Sequence, residues 1–329
     1  MKTINWGIIG CGDVTEKKSG PGFQKAKYSR LVAVMRRNRE LAEDYARRHN
    51  VPAWYDSAEA LINDPEVDAV YIATPPSSHK EYTLLTAKAG KPVYVEKPMA
   101  LNYAECREMI DACEAARVPL FVAYYRRALP RFLKIKNLLD SGAIGTVQCI
   151  RTALYQPPHP QDRDPGNLQW RVRPEIAGGG HFVDLGSHTL DFLDYILGPI
   201  RTVKGIASNQ TGMYPAEDTV SCTFQFENGV HGTGTWCFNA FEKYDLTEIV
   251  GSEGSISFST FDNTPVTLKT KSDSKQFLID HPEHIQQPLI QTIVDELNGT
   301  GICPSTGETA SRTTRVMEEI IGDYYRSRR

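Results

Sequence analysis

Gly7-Ile8-Ile9-Gly10-Cys11-Gly12-Asp13-Val14-Thr15 decides the fold of the first part of this 329-residue chain. The apolar run over residues 4–9 leads straight into it, and Gly10 and Gly12 allow a tight turn and a close approach of backbone to a bulky group. The third position of G-x-G-x-x-G, where glycine or alanine is usual, holds Thr15. The downstream pattern lifts the motif above an ordinary turn. Short apolar runs at 31–35, 69–73, 93–95 and 120–123 alternate with helical patterns at 39–48, 82–89 and 103–116. That alternation predicts α/β architecture, an N-terminal Rossmann-type doubly wound parallel sheet over residues 1–123. Glu16-Lys17-Lys18-Ser19-Gly20-Pro21-Gly22 is expected to interrupt the first helix, with both lysines in solvent.

Beyond residue 123 the pattern changes, and a second domain is expected over 124–329. A helix at 131–141 leads to a strand at 146–155, a long polar loop at 156–175 and a helix at 184–197. Strands then dominate. Residues 219–226 alternate, with Val220, Cys222, Phe224 and Phe226 on one face. Asn228-Gly229 predicts a two-residue hairpin turn into 230–238. Short strands at 248–252, 255–259 and 266–270 and helices at 289–298 and 308–325 complete the chain. The second strand face (Thr219, Ser221, Thr223, Gln225, Thr233, Thr235) is polar but uncharged, which suits solvent or another subunit.

Two domains of this size can each bury a core. The formal net charge of -3 carries no nucleic-acid footprint, and the basic run Arg326-Ser327-Arg328-Arg329 reads as a solvated terminus. The seven cysteines include no Cys-x-x-Cys pair. Neither a disulfide framework nor a metal ribbon is expected, and a reducing cytoplasm is. No apolar run approaches the ~20 residues of a membrane span.

The glycine turn opens a nucleotide-binding pattern, and Gly10, Gly12, Asp13 and Val14 are its candidate contacts. The end of the second strand then decides the nucleotide. A carboxylate there would hold the ribose 2′-hydroxyl of NAD and would repel the 2′-phosphate of NADP. The chain has Met35-Arg36-Arg37-Asn38 and no acid. Paired guanidinium groups bind a phosphate bidentately, so NADP(H) is favoured over NAD(H) through Arg36 and Arg37. Thr74, Pro75 and His79 follow a central strand at its carboxyl end, where ligands bind in open α/β sheets.

Gly178-Gly179-Gly180-His181-Phe182-Val183-Asp184-Leu185-Gly186-Ser187-His188 sets an acid and an imidazole four residues apart on one helical face. The three glycines are expected to let backbone approach a cofactor. Set beside Glu96-Lys97-Pro98 and the nucleotide pattern, the stretch reads as a reaction centre. His181, Asp184 and His188 share a face, but with no H-E-x-x-H or cysteine ligand no metal site is expected.

With these segments in this order, the chain resembles the Gfo/Idh/MocA oxidoreductases. Residues 7–12, 68–79 with Thr74-Pro75-Pro76, 90–98 ending in Glu-Lys-Pro, and 178–191 carry the likeness. Residues 251–256 and Ser305-Thr306-Gly307-Glu308 look like its C-terminal markers, so it covers essentially the whole chain. The resemblance implies a C-terminal α/β domain with an open, mainly antiparallel sheet, commonly the interface of a homodimer or homotetramer. It implies a nicotinamide between the domains near the lysine of Glu-Lys-Pro. By the same likeness Lys97, Asp184 and His188 are catalytic, while Glu96, Lys97, Tyr125, Arg126, Trp170 and Arg171 join the cofactor contacts. The Lys97–Pro98 bond is cis in relatives.

The expected reaction is hydride transfer between a nicotinamide and a carbonyl or hydroxyl of a sugar, polyol or related small molecule. Lys97 would stabilise charge on the oxygen and His188 would handle the proton. Tyr155, His159, Arg163 and Arg173 are candidates to line the substrate pocket. Two other functions are known on this fold: a glycosidase that uses bound NAD, and a non-catalytic sensor. The missing NAD-type carboxylate counts against the first. Retention of Lys97, Asp184 and His188 counts against the second.

Overall fold

A computed structural model describes residues 1–328. Its chain falls into two units, the first formed by Met1–Leu129 with Pro282–Ser311 and the second by Pro130–His281 with the residues from Arg312 on. The sequence pattern sets one cut after residue 123. Here residues 282–311 return to the first unit, so each unit is built from two chain segments.

Six parallel strands organise the first unit: β1 (Ile4–Ile9), β2 (Ser29–Met35), β3 (Ala53–Tyr55), β4 (Ala69–Ile72), β5 (Val93–Val95) and β6 (Leu120–Val122). Their order is β3-β2-β1-β4-β5-β6. Every residue of β4, β5 and β6 is buried, which is why these strands are unbroken apolar runs rather than alternating ones. Helices cover the sheet, and their ends follow local chemistry. Asn38 caps helix Arg39–His49 by accepting from the Leu41 amide at 3.0 Å, and Asn102 caps Tyr103–Ala116 from the Glu105 amide at 2.9 Å. Each such cap stabilises by about 1 kcal/mol. Strand order reverses between β1 and β4, so the crevice at their carboxyl ends is the place for a ligand.

The second unit is built on eight strands: β7 (Val147–Tyr155), β8 (Ile200–Ser208), β9 (Thr219–Phe226), β10 (His231–Cys237), β11 (Tyr244–Gly251), β12 (Gly254–Phe258), β13 (Val266–Thr270) and β14 (Ser274–Phe277). They run in the order β14-β13-β12-β11-β7-β10-β9-β8, and β7/β10 is a parallel pair in an otherwise antiparallel sheet. One face carries Ile150, Leu154, Trp236 and Phe258, all buried. Against it lie Phe182, 5.0 Å from the Trp236 ring, and Phe192 of helix Ser187–Leu197, 5.8 Å from Phe258. The opposite face carries Arg151, Ser221, Thr223 and Thr233, all exposed, and a groove of about 890 Å³ opens along it.

Three strands are not legible in the sequence. β3 is three residues long, β14 is polar, and β8 sets Gly205 inward and Ile206 outward, the reverse of the alternation that would signal a strand. The Asn228-Gly229 hairpin is also corrected. Phe226 pairs with Val230, and the Gly229 amide bonds back to the Phe226 carbonyl, so the loop has three residues. Gly229 alone takes positive φ (89°), whereas a two-residue turn of the expected type needs it at both central positions. Near the C-terminus, Arg326 pairs with Asp323 and Arg328 stacks over Tyr324 at 4.2 Å. Arg326, Ser327 and Arg328 are nonetheless all exposed, so the run is solvated, with Arg329 outside the described residues.

Candidate active site

At the carboxyl end of β1, Gly10 has φ +91°, and a Cβ there would come within 2.7 Å of the Thr74 methyl. Only glycine fits this position. At Gly12 a Cβ would meet nothing closer than 3.9 Å, leaving the turn open on the side a phosphate would take. Thr15 does not weaken the turn. Its hydroxyl donates to the Gly12 carbonyl at 2.7 Å and its own carbonyl accepts from Tyr45 at 2.9 Å. The helix is not interrupted at Glu16–Gly22 either. The extra residue is absorbed as a π-turn, Thr15–Ser19, that runs into the α-helix Gly20–Lys25, a device that recurs at functional sites. The site therefore fits a dinucleotide.

Arg36 and Arg37 are exposed just beyond β2. Arg36 reaches the Cys11 carbonyl at 3.5 Å, next to the glycine turn. Asp13 is exposed and Val14 half-buried at the start of the helix.

Thr74 and Pro75 follow β4, where Thr74 packs against Gly10. His79 plays a different part from the expected contact. It is fully buried, with Nε2 2.7 Å from the Thr74 carbonyl and Nδ1 3.0 Å from that of Pro98 and 3.2 Å from that of Met99. Both ring nitrogens face backbone carbonyls, to one side of which the neutral ring donates its single N–H, so His79 lies between the strand ends rather than reaching outward. Burial lowers its pKa below the usual value, against the opposing pull of those carbonyls and of Glu96.

Glu96, Lys97 and Pro98 follow β5, and the Lys97–Pro98 bond is cis. The Glu96 carboxylate is buried and fully engaged. It accepts from the Tyr71 hydroxyl at 2.5 Å, the Gln286 amide at 2.6 Å and the Lys97 backbone amide at 3.1 Å. Tyr94 in turn donates to the Gln286 oxygen at 3.0 Å. Burial, with Glu96 beside it, raises the Tyr71 phenol well above its usual value and keeps it a donor. Beyond β6, Tyr125 is buried with the Arg126 guanidinium 5.1 Å from its ring. Burial pushes the Tyr125 phenol up, but Arg126, Lys18 and Lys97 together bring it below its usual value. Lys97 thus sits in a cationic neighbourhood at one end of the parallel sheet.

In the second unit the glycine run does other work than expected. Gly178, with φ +84°, ends the short helix Pro174–Ala177. A Cβ on Gly180 would fall 2.7 Å from the Glu217 carbonyl. The Gly180 amide donates to the buried Glu217 carboxylate at 2.9 Å, and burial raises the pKa of that acid. The glycines therefore serve close packing inside this unit. Asp184 lies in a second π-turn, Phe182–Gly186, which passes into helix Ser187–Leu197 carrying His188. The acid and the imidazole stay one turn apart. Arg171 Nε meets Asp184 Oδ2 at 3.1 Å, and its guanidinium stacks over Trp170 at 4.5 Å.

That arginine comes from the long polar stretch, which contains 3₁₀ turns at Pro160–Arg163 and Trp170–Val172. Fully buried Asp162 anchors it, accepting from His181 Nε2 at 2.9 Å and Gln169 at 2.8 Å. His181 is thereby turned from Asp184 toward Asp162. Of the pocket candidates, His159 precedes the first 3₁₀ turn and donates its backbone amide to Asp162 Oδ2 at 3.1 Å, and Arg163 is exposed. Arg173 is half-buried ahead of helix Pro174–Ala177. Tyr155 is placed elsewhere. Strand alternation puts it opposite Leu154, on the open sheet face, where it stacks on Tyr244 at 5.4 Å.

Sequence reasoning missed Tyr71, Tyr94 and Gln286 behind Glu96, Asp162 under the loop, and Phe261, whose ring centroid is 5.9 Å from that of His188. Polarity inside a buried apolar strand was the available signal for the two tyrosines. Gln286 lies 190 residues from its partner and carried none.

Known proteins share this architecture. Residues 4–124 match the oxidoreductase family with an NAD-binding Rossmann fold, and residues 132–257 match the GFO/IDH/MocA C-terminal domain. Oxidoreductase P35 of Formosa agariphila is 42% identical over 97% of this chain and 98% of its own length. The 1,5-anhydro-D-fructose reductase of Ensifer adhaerens is 30% identical over 92% of this chain and 91% of its own. A levoglucosan dehydrogenase, solved with NADH and levoglucosan, superposes with a TM-score of 0.85 at 25% identity, covering 98% of this chain and 97% of the other.

Proposed function

The chain belongs to the GFO/IDH/MocA oxidoreductase family, and from that premise we propose that it is an NADP(H)-dependent enzyme acting on a sugar, polyol or related hydroxy-carbonyl compound. One observation carries the reading. The glycine turn, the Arg36–Arg37 pair, Thr74, Lys97 and Tyr125-Arg126 all follow carboxyl ends of strands in one parallel sheet. Two relatives, the anhydrofructose reductase and levoglucosan dehydrogenase, have sugar-derived substrates in their names, which supports the substrate class.

In this reading Gly10, Gly12, Asp13 and Val14 receive the pyrophosphate end and Arg36 and Arg37 the 2′-phosphate. Thr74, Pro75, Glu96, Tyr125, Arg126, Trp170 and Arg171 hold the remainder. When bound, the nicotinamide supplies or accepts the hydride. Lys97 stabilises negative charge on the substrate oxygen. His188 gives the proton in reduction and takes it in oxidation. Asp184, held by Arg171, orients a substrate hydroxyl. The open face of the eight-stranded sheet joins copies of the chain into a homodimer or homotetramer. The seven free cysteines go with a cytoplasmic setting, and no helix among the described residues is long and apolar enough to cross a membrane.

The test is a pair of calorimetric titrations, NADPH and NADH, on protein cleared of bound nucleotide, and then turnover of sugar carbonyls. Tighter NADPH binding that collapses in Arg36→Ala supports the assignment. Equal or NADH-preferring binding overturns the cofactor choice, and binding of neither nucleotide overturns the enzymatic reading.

A further inference from the structure

We propose that Phe261 is the specificity-determining residue of this site and seats a cyclic polyhydroxylated substrate against His188, favouring pyranose rings over open-chain polyols. The inference rests on the proton-transfer role proposed for His188. The two rings meet at 76° with centroids 5.9 Å apart. His188 is buried, while Phe261 is only partly so. They form a corner with one apolar wall and one wall able to exchange a proton.

Phe261 lies on the link between β12 and β13. Such links are ordinarily the mobile parts of a fold, but two groups fix this one. Arg131, fully buried, donates to the carbonyls of Ser259 at 2.9 Å, Asp262 at 2.8 Å and Thr264 at 2.7 Å. Asp245 accepts from the Ser259 hydroxyl and from the backbone amides of Thr260 at 3.1 Å and Phe261 at 2.7 Å. A further bond, 3.5 Å from the Thr189 hydroxyl to that of Thr260, ties the neighbour of His188 to the neighbour of Phe261. Burying a guanidinium is costly even when its N–H groups are met. Holding a surface link this way makes sense where the position of its side chain matters, as it does for a group that must meet a substrate within a fraction of an ångström.

The chemistry of the corner selects the substrate. An aromatic face is electron-rich and attracts C–H groups. A pyranose presents several C–H bonds on one rigid face and its hydroxyls around the edge. It can lie on Phe261 while offering an edge hydroxyl to His188. An open-chain polyol must freeze several torsions to do the same, and that lost entropy weakens its binding.

The experiment measures binding of D-glucose, D-galactose and L-rhamnose, each paired with its open-chain alditol, by calorimetry with and without NADP⁺. The proteins are wild type, Phe261→Leu and Phe261→Tyr, with Phe261→Met standing in should the leucine variant not fold. The expected result is that at least one pyranose binds wild type and loses about tenfold in affinity in Phe261→Leu while Phe261→Tyr stays within about threefold. The matching alditol should change by less than about threefold. Equal loss for ring and chain, no loss for the ring, or no pyranose binding to wild type overturns the proposal. Ring-selective binding without turnover would overturn the redox reading and leave the assignment of Phe261 standing.

Discussion

His79 stands between two strand ends, with Nδ1 3.0 Å from the Pro98 carbonyl and its other nitrogen 2.7 Å from the Thr74 carbonyl. The ring thus lies between the turn that carries Lys97 and the loop that packs on Gly10. Because burial holds the His79 pKa below its usual value, the unfolded chain takes up this proton more readily than the folded one. Stability is then full above about pH 6.5 and falls as pH drops through and below that value. Urea midpoints measured from about pH 8 to about pH 5 should decline more steeply for wild type than for His79→Gln. Parallel curves would remove His79 as the cause.

Lys97→Ala and His188→Ala should each cut turnover by more than ~100-fold while leaving nucleotide affinity nearly intact. Steady-state rates on an identified substrate, set beside NADPH titrations, decide this. A variant with near-normal turnover loses the role assigned to its residue.

The buried carboxylate of Glu96 depends on Gln286 for one of its donors. Replacing that amide with the similarly sized Gln286→Leu leaves Glu96 one donor short and takes away the acceptor of the Tyr94 hydroxyl. A loss of about 1–3 kcal/mol is expected in denaturant titrations. An unchanged midpoint would mean that water substitutes fully for the amide.

Ala153 lies in the middle of β7 on the face opposite Leu154. If that face joins copies of the chain, Ala153→Arg should lower the mass seen by sedimentation to that of a single chain, with the far-ultraviolet circular dichroism unchanged. A wild-type monomer would contradict the proposed assembly outright.

The first sheet was legible because burial on both faces forces continuous apolar strands, and five of its six were found from that property. β3 was too short to register. The catalytic candidates were legible as types at a spacing, yet their surroundings were not. The glycines at 178–180 read as cofactor clearance, whereas Gly180 makes room for Glu217, a residue with no local signal. His79 was found at the right strand end, but the carbonyls that face both its nitrogens come from the fold. Phe261 looked like any loop aromatic, because what distinguishes it is a buried arginine far earlier in the chain. Residues that act through their own chemistry leave a trace in sequence; those that act through a distant partner do not.

The return of residues 282–311 to the first unit has a consequence for how the chain is made. Gln286 is translated 190 residues after Glu96, a delay of roughly 10 to 40 s at about 5–20 residues per second. During that interval the nascent sheet holds a carboxylate that lacks one of its final donors, while the ribosome completes nearly all of the second unit. The first unit therefore gains its last segment only after residues 282–311 are made, although its sheet is encoded first. Nascent chains released before residue 286 should remain clients of chaperones, and a gene truncated after the first 129 codons would yield an incomplete sheet support rather than a free-standing nucleotide module.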